Sequence, residues 1–401
     1  MTKILDTLLD WSIASADWII FHLFSLFRSR TGWENPQVRN ITSLTYLLRG
    51  TWIINKNLDK WRATRSQLFP VVLQVQTINR CNGKCGMCPY PYTVHLQPRE
   101  VMADDLYTKI ISECVAEDEF CELVPMVQNE PLLDVKLEER IAEFKRHAKP
   151  HQTVEIVTNG SALTPRRFEK LVQSGLDTVT ISLSAFTQAT YEKLIEGLSW
   201  VQVTNNLEAV AASPCVARIN VFLRYVTQKG NETEFAPFKK YWTRRGLNVS
   251  NYEINNRAGV LDDYENRQPV KSFLFKRVRK SMGRKIFKGA CPHAFGIMHV
   301  LKNGDVPLCA NDWHNRHILG NVREQSIREI YNSPRMNEIR ELMEQGRFNE
   351  IDACRECSFW HEWLEPSPPS SPTLPPTGKG VSSPLGRGLG MREHTTTKDK
   401  L

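Results

Sequence analysis

The sequence predicts an α/β fold, in which crossover helices join the strands of a parallel sheet. Between residues 71 and 259, short apolar runs rich in β-branched residues alternate six times with helical segments, which is the pattern of β/α units. A closed eight-unit barrel needs about 250 residues, and this stretch spans roughly 190. We therefore expect a partial (β/α)6 barrel, followed by a small α+β domain.

Six strands are predicted from these runs: Val71–Thr77, Glu122–Val127, Thr153–Val157, Thr178–Leu183, Arg218–Val226 and Asn251–Ile254. Helices are predicted over residues 104–115 and 136–147, and a third helix starts after Thr164. There a capping threonine precedes a proline at the first helical position, and Gly175 lies just past the helix end.

The chain divides into four predicted segments, at residues 1–68, 69–275, 276–363 and 364–401. Residues 4–27 are apolar but carry Asp6, Asp10 and Asp17, and the uninterrupted run is too short to span a bilayer. This helix is expected to dock on protein or to lie in a membrane interface. The last segment is rich in Pro, Ser, Gly and Thr, so we expect it to be disordered.

Composition and charge indicate which partners and which compartment to expect. The net charge is +8, but Lys and Arg are spread along the 401 residues without interleaved aromatic residues, so no nucleic-acid partner is expected. The basic stretch Lys276–Lys280 is interpreted as a solvated linker or helix face, with an anionic substrate or membrane surface as the alternative. Ten cysteines without a secretory signal indicate metal ligation in a reducing compartment. We expect a cytoplasmic protein.

Three of these cysteines follow the first predicted strand, in the stretch Cys81-Asn82-Gly83-Lys84-Cys85-Gly86-Met87-Cys88. They therefore lie at the carboxyl end of the strand, where β/α barrels form their active sites. Three thiolates can bind three irons of a 4Fe-4S cluster and leave the fourth iron open. The alternatives are a zinc site and chance clustering, but the spacing lacks the two close pairs typical of zinc sites.

A CxxxCxxC motif after a first strand resembles the radical S-adenosylmethionine (SAM) superfamily. The resemblance implies that the open iron binds the amino and carboxylate groups of SAM, and that SAM cleavage yields a 5′-deoxyadenosyl radical. It also implies a reducing partner such as a flavodoxin or ferredoxin. Met87 stands where the family commonly has an aromatic residue near the adenine.

The same resemblance assigns SAM contacts to residues at the ends of other strands. Glu130 matches the acid of the Gly-Gly-Glu-Pro type motif, whereas Gln128 and Asn129 stand in place of its glycines. Ser182 matches the position that contacts the ribose or the carboxylate. Further candidates are Asn159 and Ser184, although Asn, Ser and Pro are also ordinary turn residues at strand ends.

Four more cysteines come after the predicted barrel: Cys291, Cys309, Cys354 and Cys357. Asn303-Gly304 predicts a hairpin turn between Ile297–Leu301 and Val306–Leu308, and helices are expected at about 326–331 and 334–345. On ligand type alone, four thiolates suit a structural zinc ion or a second iron–sulfur cluster equally. The arrangement resembles the shortened "twitch" form of the SPASM extension, which implies one auxiliary 4Fe-4S cluster.

The resemblance implies an enzyme that abstracts hydrogen from a substrate carbon. An auxiliary cluster with four protein ligands has no iron open to substrate, which favours electron transfer and hence alcohol oxidation, as in the twitch-bearing aminocyclitol dehydrogenases. Arg224 is the candidate catalytic residue, for orienting a hydroxyl group or the SAM carboxylate, although a surface or salt-bridged arginine is the simpler interpretation. The substrate is expected to be a small molecule or a peptide.

Three other functions remain open. Peptide-modifying relatives commonly carry a peptide-binding domain, which residues 1–68 do not obviously encode. A sugar or cyclitol epimerase would need a cysteine as hydrogen donor, and Cys114, Cys121 and Cys215 are expected at the far end of the barrel. A metal-stabilised scaffold would need no SAM site.

Overall fold

The computed structural model describes residues 54–96, 98–269, 283–284 and 286–364. The apolar N-terminal stretch, the basic stretch Lys276–Lys280 and the tail from 365 onward lie outside these residues. No helix of the described part is long and apolar enough to cross a membrane.

The main sheet has seven parallel strands: β1 (Val72–Val75), β2 (Glu122–Val124), β3 (Thr153–Thr158), β4 (Thr178–Ser182), β5 (Asn220–Thr227), β6 (Asn248–Glu253) and β7 (Ile297–Val300). Their order across the sheet is β6-β5-β4-β3-β2-β1-β7. Two further strands, β8 (Asp305–Pro307) and β9 (Ile318–Asn321), form a separate antiparallel pair. The six predicted strands are confirmed in order, with ends that shift by a few residues.

Helices join the strands. A helical segment over residues 54–64 comes first. It is followed by α1 (Tyr90–Thr93), α2 (Asp104–Ala116), α3 (Leu137–His147), α4 (Pro165–Gln173), α5 (Gln188–Leu194), α6 (Trp200–Ala212), α7 (Phe235–Arg244), α8 (Tyr264–Arg267), α9 (Pro292–Phe295), α10 (Ile327–Tyr331), α11 (Pro334–Glu344) and α12 (Asp352–Arg355). Helix α4 begins as predicted, because the Thr164 side chain accepts a hydrogen bond from the backbone N–H of Arg167.

The turn predicted at Gly304 is confirmed, but the prediction that the strands on either side of it pair with each other is wrong. Gly304 has a φ of +96° and its N–H bonds to the carbonyl of Leu301, so the chain does reverse there. The strand before the turn, β7, pairs with β1 of the barrel, and β8 after it pairs with β9. An edge strand offers unpaired backbone groups, and β1 would be such an edge without β7.

The central strands separate an apolar layer from a polar one, because successive side chains point to opposite faces. On β3, Val154 and Ile156 belong to the large hydrophobic core. Glu155 lies between them on the other face and accepts a 2.6 Å hydrogen bond from Thr180 of β4. The polar face therefore lies inside the partial barrel, and it carries a second acid, Glu122, on β2.

We predict that Glu122→Gln stabilises the protein more at high pH than at low pH. Burial raises the pKa of Glu122 well above its usual value, and repulsion by Glu155 and Asp177 adds to this effect. The protonated carboxyl of Glu122 therefore stabilises the folded state fully at pH values below the unfolded-state pKa of about 4.3. This contribution is lost as the pH rises through the folded-state pKa. The variant should gain roughly 1–3 kcal/mol in unfolding free energy near pH 8, and little near pH 4.

Urea unfolding at the two pH values measures this difference. The exposed Glu324→Gln is the matched control and should show no comparable pH dependence. An equal effect of Glu122→Gln at both pH values would contradict the interpretation.

Candidate active site

The loop with the first three cysteines is fixed at the carboxyl end of β1 by backbone pairing. Lys84–Cys85 forms a short antiparallel pair with Ile195–Glu196, which follow α5. The Gly86 N–H then donates to the carbonyl of Leu194 at 3.0 Å. Because the loop is held by its backbone, the thiol side chains remain available as ligands.

Side chains from the end of β3 hold the same loop. The Asn159 Nδ2 group donates to the Asn82 Oδ1 atom at 2.9 Å, and the Asn82 Nδ2 group donates to the Ser161 hydroxyl at 2.9 Å. The predicted SAM contact Asn159 thus lies beside the cysteine loop, where it positions Asn82.

The three thiols lie close enough to influence one another. Burial raises the pKa of Cys81 to about 12, with further contributions from Glu130 and Cys88. Burial also raises the pKa of Cys85, and the charges of Cys88 and Cys81 add to it. Three enclosed thiolates would repel one another strongly unless a cation bound them, so this set fits a three-cysteine cluster site.

Glu130 is buried and its carboxylate is already occupied by donors from the protein. It accepts hydrogen bonds from the Thr158 hydroxyl at 2.6 Å, the Asn159 N–H at 2.8 Å and the Leu132 N–H at 3.1 Å. These bonds tie the end of β2 to the end of β3. In this structure Glu130 acts as a buried brace between these two strand ends.

The neighbouring Asn129 leaves a polar group available. Its Oδ1 atom accepts from the Val127 N–H at 3.1 Å, but its buried Nδ2 group has no hydrogen-bond partner. Unpaired buried donors are costly and rare, so this amide is a donor to which a ligand could bind. The adjacent Gln128 donates to the carbonyl of Ala310, next to Cys309.

Ser182 and Arg224 lie side by side, because they are partners in the register of β4 and β5. The Arg224 guanidinium stacks on Tyr252 at 4.7 Å from the ring centroid, and its buried Nε has no partner. Its charge opposes the burial that raises the pKa of Glu155. Ser184 instead stabilises the backbone, since its hydroxyl accepts a hydrogen bond from the Val226 N–H.

The second set of cysteines surrounds a cavity. Cys291 precedes α9, Cys309 follows β8, Cys354 lies in α12 and Cys357 follows it, and all four line a space of about 150 Å³. That volume is several times the ~30 Å³ share of one water molecule. The site therefore has room for a polyatomic cluster held by four thiolates.

Burial also raises the pKa values of these four thiols. It raises the pKa of Cys291 to about 12, with a smaller contribution from Cys357, and it raises the pKa of Cys309 and Cys354 well above the usual value. The Cys309 sulfur also accepts a hydrogen bond from the Asn311 N–H at 3.4 Å. Bonds to sulfur of this kind help to set the potential of a cluster.

The sequence prediction missed Arg257, which follows β6. The charges that act on its enclosed guanidinium include those of Cys88, Cys309 and Cys85, so it lies near both sets of cysteines. The run Asn255-Asn256-Arg257 at a strand end was the available signal, because functional side chains of β/α folds collect there. Met87 packs nearby, with Ile254 and Leu261.

Comparison with known proteins decides the family. The model of the radical SAM superfamily matches residues 75–230, and the model of an iron-sulfur cluster-binding domain, SPASM, matches residues 291–358. The chain belongs to the radical SAM superfamily. Its two domains imply a SAM-binding 4Fe-4S cluster and an auxiliary iron–sulfur cluster, with SAM as cosubstrate.

Similar proteins cover the chain in part. Molybdenum cofactor biosynthesis protein 1 of Drosophila melanogaster is 24% identical over 177 residues, which are 44% of this chain and 30% of that protein. GTP 3′,8-cyclase of Staphylococcus aureus strain JH9 is 23% identical over 189 residues, 44% of this chain and 52% of the enzyme. The radical SAM chain thus spans about half or less of these relatives.

Among solved structures, Streptococcus suis SuiB bound to precursor peptide SuiA matches with a TM-score of 0.55 at 15% identity. The match covers 77% of this chain and 74% of SuiB. At this identity the likeness concerns the fold.

We predict that loading the apoprotein with iron and sulfide releases protons, and that their number rises with the number of cysteines that bind iron. The thiols with raised pKa values are protonated near pH 8 and must ionise to bind iron. The three ligands at the first site and the four at the second contribute about seven protons per chain, in addition to those that hydrosulfide loses when it enters the clusters. Iron uptake should therefore fall as the pH is lowered from about 8.5 to 6.5.

Anaerobic reconstitution in weak buffer with a pH indicator, followed by an iron assay, measures both quantities. Cys215→Ala is the control, because this half-buried cysteine belongs to neither set. Proton release that does not fall when ligand cysteines are replaced would contradict the assignment.

Proposed function

We propose that the enzyme oxidises an alcohol group of its substrate to a carbonyl. When bound, SAM and its cluster supply hydrogen-atom abstraction at carbon, and the auxiliary cluster supplies an acceptor for one electron. With loss of the hydroxyl proton, these two events remove one hydrogen from carbon and one from oxygen, so the oxidation is balanced. The substrate would lie between the two cysteine sets.

One observation carries this proposal, namely the cavity lined by four thiols. Cys291, Cys309, Cys354 and Cys357 can fill every ligand position of one auxiliary cluster. A cluster with a full set of protein ligands has no iron open to a substrate hydroxyl. Electron transfer is the role that remains for it, and a net oxidation needs an electron acceptor.

The proposed roles of the other residues follow from their contacts. Cys81, Cys85 and Cys88 would hold the SAM-binding cluster. The unpaired Asn129 amide would donate to SAM, and Ser182 and Arg224 would contact the cosubstrate or the substrate hydroxyl. Tyr252 and Glu155 would hold the Arg224 guanidinium in place by stacking and by charge.

The two clusters should be separable by mutation. Replacing Cys81, Cys85 and Cys88 with Ala should remove about half of the iron and all SAM cleavage, because only this site leaves an iron open. Replacing Cys354 and Cys357 with Ala should preserve some SAM cleavage but stop product formation. Iron content and 5′-deoxyadenosine release measure both effects.

The direct test of alcohol oxidation is to find the substrate by comparing metabolites from cells with and without the enzyme. A substrate deuterated at the carbinol carbon should transfer deuterium to 5′-deoxyadenosine and yield the carbonyl product. A cross-linked peptide as product would refute alcohol oxidation, and zinc in the second site after anaerobic preparation would refute the proposed electron-acceptor role.

Epimerisation is the closest catalytic alternative, and the positions of the spare cysteines argue against it. Cys114 is buried within α2, Cys121 directly precedes β2, and Cys215 lies just before β5. Strand starts are at the opposite end of the sheet from the cluster loop, about a strand length of ~17 Å away. Hydrogen transfer requires reacting atoms about 3–3.5 Å apart.

We therefore predict that changing Cys114, Cys121 and Cys215 together to Ala leaves turnover largely intact. A modest loss of stability is expected, because buried cysteines pack as small hydrophobic residues. The rate of product formation, with SAM cleavage measured in parallel, checks this outcome. If one single variant kept SAM cleavage but lost turnover, the enzyme would be an epimerase.

A further inference from the structure

Residues 254–268, here called the bridging segment, connect the surroundings of the two cysteine sets. On one side, Ile254, Leu261 and Tyr264 form a small apolar cluster with Met87 of the cysteine loop. Arg267 packs against Gly86, where an added Cβ would lie 2.9 Å from the arginine Nη1 atom. The segment therefore closes directly over the loop that carries Cys85 and Cys88.

The other side of the bridging segment is bonded to the auxiliary domain. The Asn256 N–H donates to the Ser358 hydroxyl at 3.0 Å, and the Ser358 N–H donates to the Asn256 Oδ1 atom at 2.9 Å. Arg316 adds a 3.2 Å bond to the carbonyl of Ala258. Ser358 follows Cys357, so this reciprocal pair ties the segment to the second cysteine set.

The backbone between these contacts is strained. Arg257, Ala258 and Gly259 have φ values of +53°, +55° and +83°, a left-handed conformation that costs a non-glycine residue roughly 1–2 kcal/mol. The Asn255 side chain holds the turn by accepting the Arg257 N–H at 3.0 Å. Strain of this kind is maintained at functional positions, and here it places the Arg257 side chain.

The Arg257 guanidinium lies between the cysteine sets. Its Nη1 group donates to Asn311 at 3.2 Å, and the Asn311 N–H in turn donates to the Cys309 sulfur. Cys88 and Cys85 of the first set lie within electrostatic reach of the same guanidinium. Its buried Nε has no hydrogen-bond partner.

A half-buried cation with a buried, unpaired Nε is stabilised by an anion nearby. Within the described residues, the charges that act most strongly on Arg257 are those of three cluster cysteines and of another cation, Arg224. A carboxylate is not among them. Thiolate-ligated clusters are the anions that this position would face in the loaded enzyme.

We propose that Arg257 is a counter-cation shared by the two iron–sulfur clusters, and that it raises the reduction potential of both. A fixed positive charge stabilises the reduced form of a cluster, because reduction adds negative charge. One charge between two clusters acts on each of them. The inference goes beyond the proposed alcohol oxidation, because it holds for any substrate.

The test compares Arg257→Met and Arg257→Gln, which remove the charge, with Arg257→Lys, which keeps it. Arg316→Met is the matched control, because Arg316 also contacts the bridging segment but is paired with Asp312 at 3.1 Å. Each reconstituted holoenzyme is titrated with reductant while electron paramagnetic resonance follows both clusters. SAM, which binds only the first cluster, distinguishes their signals.

In the neutral variants, both midpoint potentials should shift to more negative values, whereas the Lys variant and the control should stay near the parent enzyme. Unchanged potentials at full iron content, or a shift in one cluster alone, would overturn the proposal. If the neutral variants lose iron, retention by Arg257→Lys supports the role of charge. Equal iron loss in the Lys variant would instead show a purely structural role.

These outcomes are independent of the proposed alcohol oxidation. The potentials can be measured without substrate, so failure to find an alcohol substrate leaves the test of Arg257 intact. Conversely, unchanged potentials would leave alcohol oxidation untouched.

Discussion

The architecture depends on enclosing two groups of thiols whose charged forms cannot coexist without a bound cation. Burial and mutual repulsion raise the pKa values within both groups. The protein therefore holds these cysteines by backbone pairing, short helices and turns, and leaves the sulfur atoms to iron. The same enclosure disfavours free thiolates and favours their binding to the cationic core of an iron–sulfur cluster.

Around the first site, residues that the family motif assigns to SAM also form hydrogen bonds that hold the protein backbone and the cysteine loop. Both Glu130 and Asn159 use most of their bonding capacity on the protein. On the proposed match to this motif, Gln128 and Asn129 stand at its glycine positions, and the side-chain amide of Asn129 has an unpaired donor. This chain thus offers a side chain in a region where the family motif offers backbone.

The sequence predicted the fold well, because the fold depends on local patterns, and it is the spacing of the cysteines that predicts the two ligand sets. Strand runs, the Thr164 cap and the cysteine spacing are contained within short stretches. The partner of β7 was not predictable in this way, since Asn303-Gly304 specifies a turn but not which edge the preceding strand joins. Arg257 was missed for a similar reason, because its role depends on cysteines 169 and 52 positions away, which only the tertiary fold brings near.

The pairing of β7 with β1 has a consequence for how this chain is made. Val72 lies beside Ile297, 225 positions later in the chain. At translation rates of about 5–20 residues per second, the first strand waits roughly 10–45 s for its neighbour. During that interval an open strand edge stands next to the loop with the three cysteines. Early cluster loading or a chaperone would protect the nascent chain from aggregation over this time.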